Sequence, residues 1–379
     1  MRSGKAFSRI SRQLAEFARN RRYYGLPYAL RAFCGFLVSF FVRHVIRREP
    51  FSAVPDDVYA SPAAERAEAL PDTCYVERLA ASVPPDAELV FYIHLIISLG
   101  DIVACEPVVR YLKARWQGAK VVWIVRKGYE AVLKCNPFIA EVRTVANLAE
   151  SSALLASLDV AKGQVAVDLH FNGLRCPDTG FIHHNAVNPF ITFETYLHCG
   201  NLLEAFSLCA GMEVPDEPPV FYLDPAVRVP QKLPERYVVF HCKSNMRIKD
   251  WTARKWNALA LRLLRLGYTV VELGTERIIR TKSGRYVDCT DIADLQEIAA
   301  IISRAECFVG IDSGFAHIAN CFGVKSVLIF GVYYHYSDYR IYSGGFGKGE
   351  NCRIVFDHRY GSFRVRVKDV ERAFIELIG

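Results

Sequence analysis

Short unbroken apolar runs alternate along the chain with stretches of helical periodicity, and this alternation begins abruptly at residue 87. AELVFYIHLI (87–96) predicts a buried strand, followed by a turn at SLGD (98–101) and one helix carrying Val103, Val108, Val109 and Leu112. KVVWIVRKG (120–128) predicts a second strand, and the segment after it stops at Asn136-Pro137. QVAVDLH (164–170) reads as a strand and TYLHCGNLLEAFSLCAGM (195–212) as a helix. After a proline-rich stretch the pattern restarts. Strands are expected at 236–242, 268–274, 306–312 and 325–331, and helices at 252–267, 294–305 and 316–323.

Strand, helix, strand with continuously apolar strands is the signature of parallel sheets covered on both faces. The expected fold class is therefore α/β, with two Rossmann-like, doubly wound parallel-sheet domains facing a cleft. The reading divides the chain into an arm (1–50), a linker (51–86), an N-terminal domain (87–212), a connection (213–235) that could hold one edge strand, and a C-terminal domain (236–379). At 379 residues, two cores of ordinary size are the natural division.

The net charge of +7 changes this picture only at one end. Residues 1–50 hold eleven Lys and Arg against Glu16 and Glu49, leaving 36 basic and 38 acidic residues in the rest. The folded body therefore carries no basic surplus that would favour nucleic acid. Within the arm, AFCGFLVSFFV (32–42) is too short for the ~20 residues a membrane-spanning helix needs. Phe33, Phe36, Leu37, Phe40 and Phe41 fall at helical spacing between clusters of arginine. This predicts a helix lying on an anionic membrane surface or packed on a protein partner. The twelve cysteines show no C-x-x-C pair, which points to free thiols in a reducing compartment and a cytoplasmic chain.

Candidate chemistry gathers in two loops of the second half. HCKSNMRIKDWTARKW (241–256) follows a strand and precedes a helix, where α/β folds bind ligands, and offers Lys243, Arg247 and Lys249 to a diphosphate. In FVGIDSGFAHIANCFG (308–323) a strand runs through Asp312, Ser313 and Gly314 into a helix whose free N–H groups favour an anion. His317 is expected to point towards the same anion. A helix cap by Asp312 or Ser313 is the plainer use of that segment. Glu272 and Glu276, either side of Gly274, are candidate ribose ligands or solvated glutamates. His183, His184 and His198 show no carboxylate or cysteine at recognisable ligand spacing, so no metal site is expected.

These motifs resemble glycosyltransferase family nine, the family of the ADP-heptose:lipopolysaccharide heptosyltransferases. Asp312, Ser313, Gly314, His317, Ile318 and Ala319 match its D-[ST]-G-x-x-H-[LI]-A motif, and Lys249-Asp250-Trp251 its K-x-W motif. Ser98, Leu99, Gly100 and Asp101 match its S-[LM]-G-D turn, echoed further by Pro107 to Leu112. The resemblance covers residues 87–375 and implies a GT-B fold and inverting transfer of a sugar, heptose in the named members, from a nucleoside diphosphate. It implies that Asp101 is the general base, where a helix cap is the structural alternative. It also implies that Lys249, Ser313, Gly314 and His317 bind the donor phosphates with support from Asp312 and Lys243. Neither cofactor nor metal is implied. The implied acceptor is a cell-surface glycolipid or polysaccharide, which would place the chain peripherally on the inner face of the cytoplasmic membrane. His94, Leu95, Ile96 and Ile97 stand where the family has a lysine and hydroxyl-rich approach to the turn. A non-catalytic nucleotide-binding or membrane scaffold is the competing reading. An NAD-dependent oxidoreductase is disfavoured, because SGGFGKGE (343–350) lacks the final glycine of G-x-G-x-x-G.

Overall fold

The apolar runs form parallel strands, because each is buried on both faces and its backbone groups pair only along the ladder. In the computed structural model the structure describes residues 71–230 and 233–379. The arm 1–50 and linker residues 51–70 lie outside the described residues, and with them the expectation of an interfacial helix. Among the described residues no helix is long and apolar enough to cross a membrane.

The first sheet contains β1 (Val90–His94), β2 (Lys120–Arg126), β3 (Glu141–Val145) and β4 (Gln164–Asp168), in the order β3-β2-β1-β4, all parallel. The second contains β5 (Val238–His241), β6 (Val270–Leu273), β7 (Tyr286–Cys289), β8 (Cys307–Ile311), β9 (Ser326–Gly331) and β10 (Cys352–Asp357). Its order is β10-β9-β8-β5-β6-β7, again parallel throughout. The expected pair of α/β sheets is present.

Three differences from the sequence reading have local causes. A short helix α1 (Tyr75–Ala81) precedes the first strand, inside the expected linker. The single helix expected after the S-L-G-D turn is two, α2 (Leu99–Ala104) and α3 (Pro107–Arg115). Pro107 opens the second, where its missing N–H would have no partner anyway. The strand β3 and helix α4 (Leu148–Ala156) lie in a stretch assigned no element. β3 is largely solvated at the sheet edge and so lacks the continuous apolar run of a central strand.

The helix expected at 195–212 shortens to α5 (Leu202–Ala210). Asn201 and Glu204 form a reciprocal cap at its start, and Gly211 ends it in the left-handed region at φ 67°. No strand occurs among the described residues of the connection 213–235.

In the second half α6 (Ala253–Arg265) buries Trp256, Leu259, Leu263 and Leu264 against β5 and its neighbours. Each such side chain contributes about 1.5–3 kcal/mol. Helices α7 (Leu295–Ser303), α8 (Gly314–Cys321) and a single turn α9 (Gly344–Gly347) follow. The terminal helix α10 (Val367–Ile378) closes the same core with Val370, Phe374 and Leu377. All eleven cysteines of the described residues are free thiols, most of them buried.

The halves meet where α2 packs on α8. Gly100 and Gly314 make that approach possible. A Cβ on Gly314 would lie 1.9 Å from Leu99 Cδ2, and one on Gly100 would lie 2.8 Å from His317 Cδ2 and 3.5 Å from Gly314 Cα. The S-L-G-D turn and the D-S-G-x-x-H segment are thus in contact through their glycines.

Candidate active site

Lys249 is positioned by its neighbours in the chain. Trp251 is buried, donates its indole N–H to the Val365 carbonyl at 2.9 Å and packs edge-on against Trp256. Asp250 accepts from the Ser244 amide at 2.9 Å and the Ser244 hydroxyl at 3.1 Å, which closes the loop. With both neighbours anchored, the Lys249 ammonium sits 2.6 Å from Asp312 Oδ2 and 4.6 Å from the centre of the Tyr333 ring. A carboxylate below and an aromatic face beside it hold the cation in one place.

Asp312 directly follows β8 and Ser313 precedes α8. Ser313 does not cap the helix with its side chain, so the plainer reading of this serine does not hold. Its buried Oγ has no hydrogen-bond partner, and the same is true of His317 Nδ1 and of the Tyr342 hydroxyl. The His317 and Tyr342 rings are 4.6 Å apart. Burial pushes the His317 imidazole down to about 4, with Asp312 opposing and Lys249 reinforcing the shift, so the ring is neutral. A polar atom left unpaired in a protein interior costs about 1–3 kcal/mol. Three such atoms around one helix start fit a phosphate-bearing ligand. Gly314, read from sequence as admitting a ligand to the backbone, also admits Leu99 from the other half.

Asp101 lies in the first turn of α2, and the cap position belongs to Ser98. Ser98 occupies the left-handed region at φ 63°, unusual for a residue with a side chain, where the chain turns sharply from β1 into α2. The Asp101 carboxyl is pushed up to about 7, first by burial, with Lys249 opposing, Asp312 adding and a hydrogen bond from Ser98 opposing. Charges of the second half thus act on the carboxylate of the first, and a group titrating near 7 suits proton transfer at neutral pH.

The remaining expected site residues divide. Lys243 is ion-paired with Glu276, both partly exposed. Glu272 is fully buried and already committed: it accepts from the Ile278 amide at 2.7 Å, the Ile279 amide at 3.0 Å and the Tyr286 hydroxyl at 2.6 Å. That corrects the ribose reading of Glu272, whose carboxylate instead ties the segment after β6 to β7.

The three histidines weighed from sequence are also separated. His198 packs at a tilt against His335 and Tyr336, and His184 is exposed. His183 is buried, and a carboxylate does complete its surroundings: His183 Nε2 is 2.8 Å from Asp168 Oδ2, while His94 Nδ1 is 2.9 Å from Asp168 Oδ1. This group joins the end of β1, the end of β4 and a loop, a juxtaposition that no sequence spacing could reveal. The available signal was the polar D-L-H ending of an apolar strand beside His94 at the end of another. Burial alone would raise the Asp168 carboxyl, but the His94 and His183 rings hold it well below the usual range.

Residues 197–337 match the family profile described as Glycosyltransferase family 9 (heptosyltransferase). No curated protein matches the chain. Among solved structures, a glycosyl transferase family 9 protein from Veillonella parvula is 16% identical, with a TM-score of 0.55 over 77% of this chain and 97% of its own. The E. coli heptosyltransferase WaaC with ADP is 14% identical, with a TM-score of 0.52 over 77% of this chain and 100% of its own. E. coli ADP-heptose lps heptosyltransferase II is 15% identical, with a TM-score of 0.53 over 76% and 98%. These likenesses establish a shared two-domain fold. The profile match over residues 197–337, the ordered motifs and this fold agree in their likeness to glycosyltransferase family 9.

Proposed function

We propose that the protein is an inverting glycosyltransferase that takes a sugar from a nucleoside diphosphate, with ADP-linked heptose as the reference donor, and passes it to a cell-surface glycolipid or polysaccharide. The observation that carries the reading is the contact between Asp101's turn and the start of α8, where the raised carboxyl of Asp101 faces the charges of Lys249 and Asp312. In this reading Asp101 takes the proton of an acceptor hydroxyl, whose oxygen attacks the anomeric carbon as the bond to the diphosphate breaks. Attack from the face opposite the leaving group inverts the configuration.

The leaving diphosphate gains negative charge. Lys249, released from Asp312 as the phosphates arrive, and the amide groups at the start of α8 would stabilise it. Ser313 Oγ, Gly314 N–H and His317 Nδ1 would complete the cradle, with Lys243 as a further cation and Glu276 left as the carboxylate for the ribose. These groups supply the positive charge the reaction needs, so the reading requires neither a cofactor nor a metal ion. One heptosyltransferase of the same fold, E. coli WaaC, occurs with ADP and with ADP-2-deoxy-2-fluoro heptose, which favours an adenine nucleotide over others as the first to try. A glycolipid acceptor would give the basic arm its use at the inner face of the cytoplasmic membrane.

The test is thermal shift with ADP, UDP, GDP and NAD on the wild type and on Lys249→Ala. One nucleoside diphosphate is expected to stabilise the wild type and to lose that effect in the variant. Stabilisation by NAD alone would discard the glycosyltransferase reading, and no response to any of the four would favour a non-catalytic scaffold.

A further inference from the structure

The cluster at the C-terminal ends of β1 and β4 has an outer layer that fixes how its histidines face inward. Ser151 Oγ donates its only proton to the Leu148 carbonyl at 3.0 Å and lies 2.8 Å from His94 Nε2. With that proton so placed, Ser151 Oγ accepts from Nε2–H, and Nδ1 is the ring nitrogen that faces Asp168. That nitrogen lies 2.9 Å from a carboxylate oxygen, a separation that a proton or a metal cation between the two atoms accounts for. His183 repeats the arrangement, with Nδ1 3.0 Å from Ser152 Oγ and Nε2 2.8 Å from the other oxygen of Asp168. The inward atoms of His94, Asp168 and His183 all lie within 4.8 Å of one another.

We propose that His94, Asp168 and His183 bind one divalent first-row transition metal ion, with Ser151 and Ser152 holding the outer nitrogens of the two histidines. Two imidazoles and one carboxylate suit Zn2+ or Fe2+ rather than Mg2+ or Ca2+. An ion so held would lie about 2.1 Å from each donor. A hydrogen-bond acceptor on the far nitrogen fixes the tautomer and ring plane of a metal-bound histidine, and here the Ser151 and Ser152 hydroxyls occupy that place. Both rings are buried, while the Asp168 side chain remains 16% exposed, which gives an ion a way in and a coordination position for water. His170 is close, its ring 4.6 Å from that of His94, but it is excluded as a ligand through Nε2, which accepts the Ile96 amide at 3.1 Å.

The ion would join β1, β4 and the loop carrying His183, directly behind residues 95–98 that lead to Asp101. It is separate from the diphosphate site and does not rest on the proposed reaction.

Full-length protein stripped with EDTA and titrated with Zn2+ by calorimetry should bind one equivalent that is lost in His183→Ala. Because the chain has twelve cysteines, Co2+ substitution should be read alongside. An imidazole–carboxylate site gives weak visible bands and no intense thiolate band in the near ultraviolet. Should His183→Ala fail to fold, Ser152→Ala decides: removing an outer partner is expected to weaken Zn2+ binding about 10-fold or more. No Zn2+ binding by the wild type, binding unchanged in the folded variants, or a Co2+ spectrum dominated by the thiolate band would overturn the proposal. The first of these results would leave the cluster as a hydrogen-bonded set of side chains without an ion.

Discussion

At the end of β8, Ser313 Oγ and His317 Nδ1 are buried without partners, while at the ends of β1 and β4 the side chains of His94, Asp168 and His183 bond to one another and to Ser151 and Ser152. Both clusters sit at the carboxyl edge of a parallel sheet, where such folds collect function. The difference is what each carries through folding. The second half keeps uncompensated polar atoms, which persist when a ligand repays their cost. The first half keeps a closed set, which makes its shape independent of the nucleotide. In the proposed reaction the flexible demand for charge thus falls on one half, and the rigid placement of the base on the other.

Asp101→Asn is the sharpest way to separate the two. It should reduce sugar transfer by about 10²–10⁴-fold while leaving the nucleotide-induced shift in melting temperature intact. Loss of both together would mean that Asp101 belongs to the donor site. Lys249→Ala acts in the opposite direction. Nucleotide affinity should fall about 10-fold or more, and stability by about 1–2 kcal/mol, because Asp312 loses its cation while solvent at Lys249 tempers the cost. Calorimetry with nucleotide and urea melts read the two effects separately.

Gly314→Ala tests the seam between the halves. Its Cβ would displace Leu99, so a stability loss of about 1–3 kcal/mol is expected, measurable by urea denaturation and accompanied by weaker transfer.

A pH series sharpens the electrostatic part. The folded-state carboxyl of Asp101 titrates near 7 and its unfolded counterpart near 3.8, so folding takes up a proton between those values. Stability linked to Asp101 is present below about 3.8 and is lost as pH rises through 7. Asp101→Asn should therefore raise the melting temperature relative to wild type at pH 8, and by less at pH 5. Transfer by the wild type should rise with pH through about 7, as the base becomes a carboxylate.

The smallest effect is expected from Ser313→Ala. Removing an unpartnered hydroxyl should leave melting unchanged or slightly improved and weaken nucleotide binding a few-fold. An appreciable loss of stability would show that the hydroxyl is bonded in the free protein and that the contrast between the two halves is overstated.

Much of the architecture was legible in order along the chain. Central strands such as β2 and β8 announce themselves as unbroken apolar runs, because a strand covered on both faces has no polar side to show. The edge strands β3 and β7 are partly solvated and mixed in character, so their patterns merge with loop, and both escaped the reading. The motifs around Asp101, Lys249 and Asp312 were visible because each is local: a turn or helix start needs its glycine, hydroxyl and acid within a few residues.

Sequence alone determined the alternating α/β order, the two sheets and the short segments from which a diphosphate site could be built, since backbone pairing and helix starts are specified by neighbouring residues. Tertiary structure decided which of those segments meet. It set Gly100 against Gly314, tied up Glu272 with the backbone beyond β6, and brought His94 and His183 to one carboxylate on Asp168. Those pairings depend on strand order and loop return, and residues 74 positions apart carry no mark in the chain that they will lie within hydrogen-bond distance.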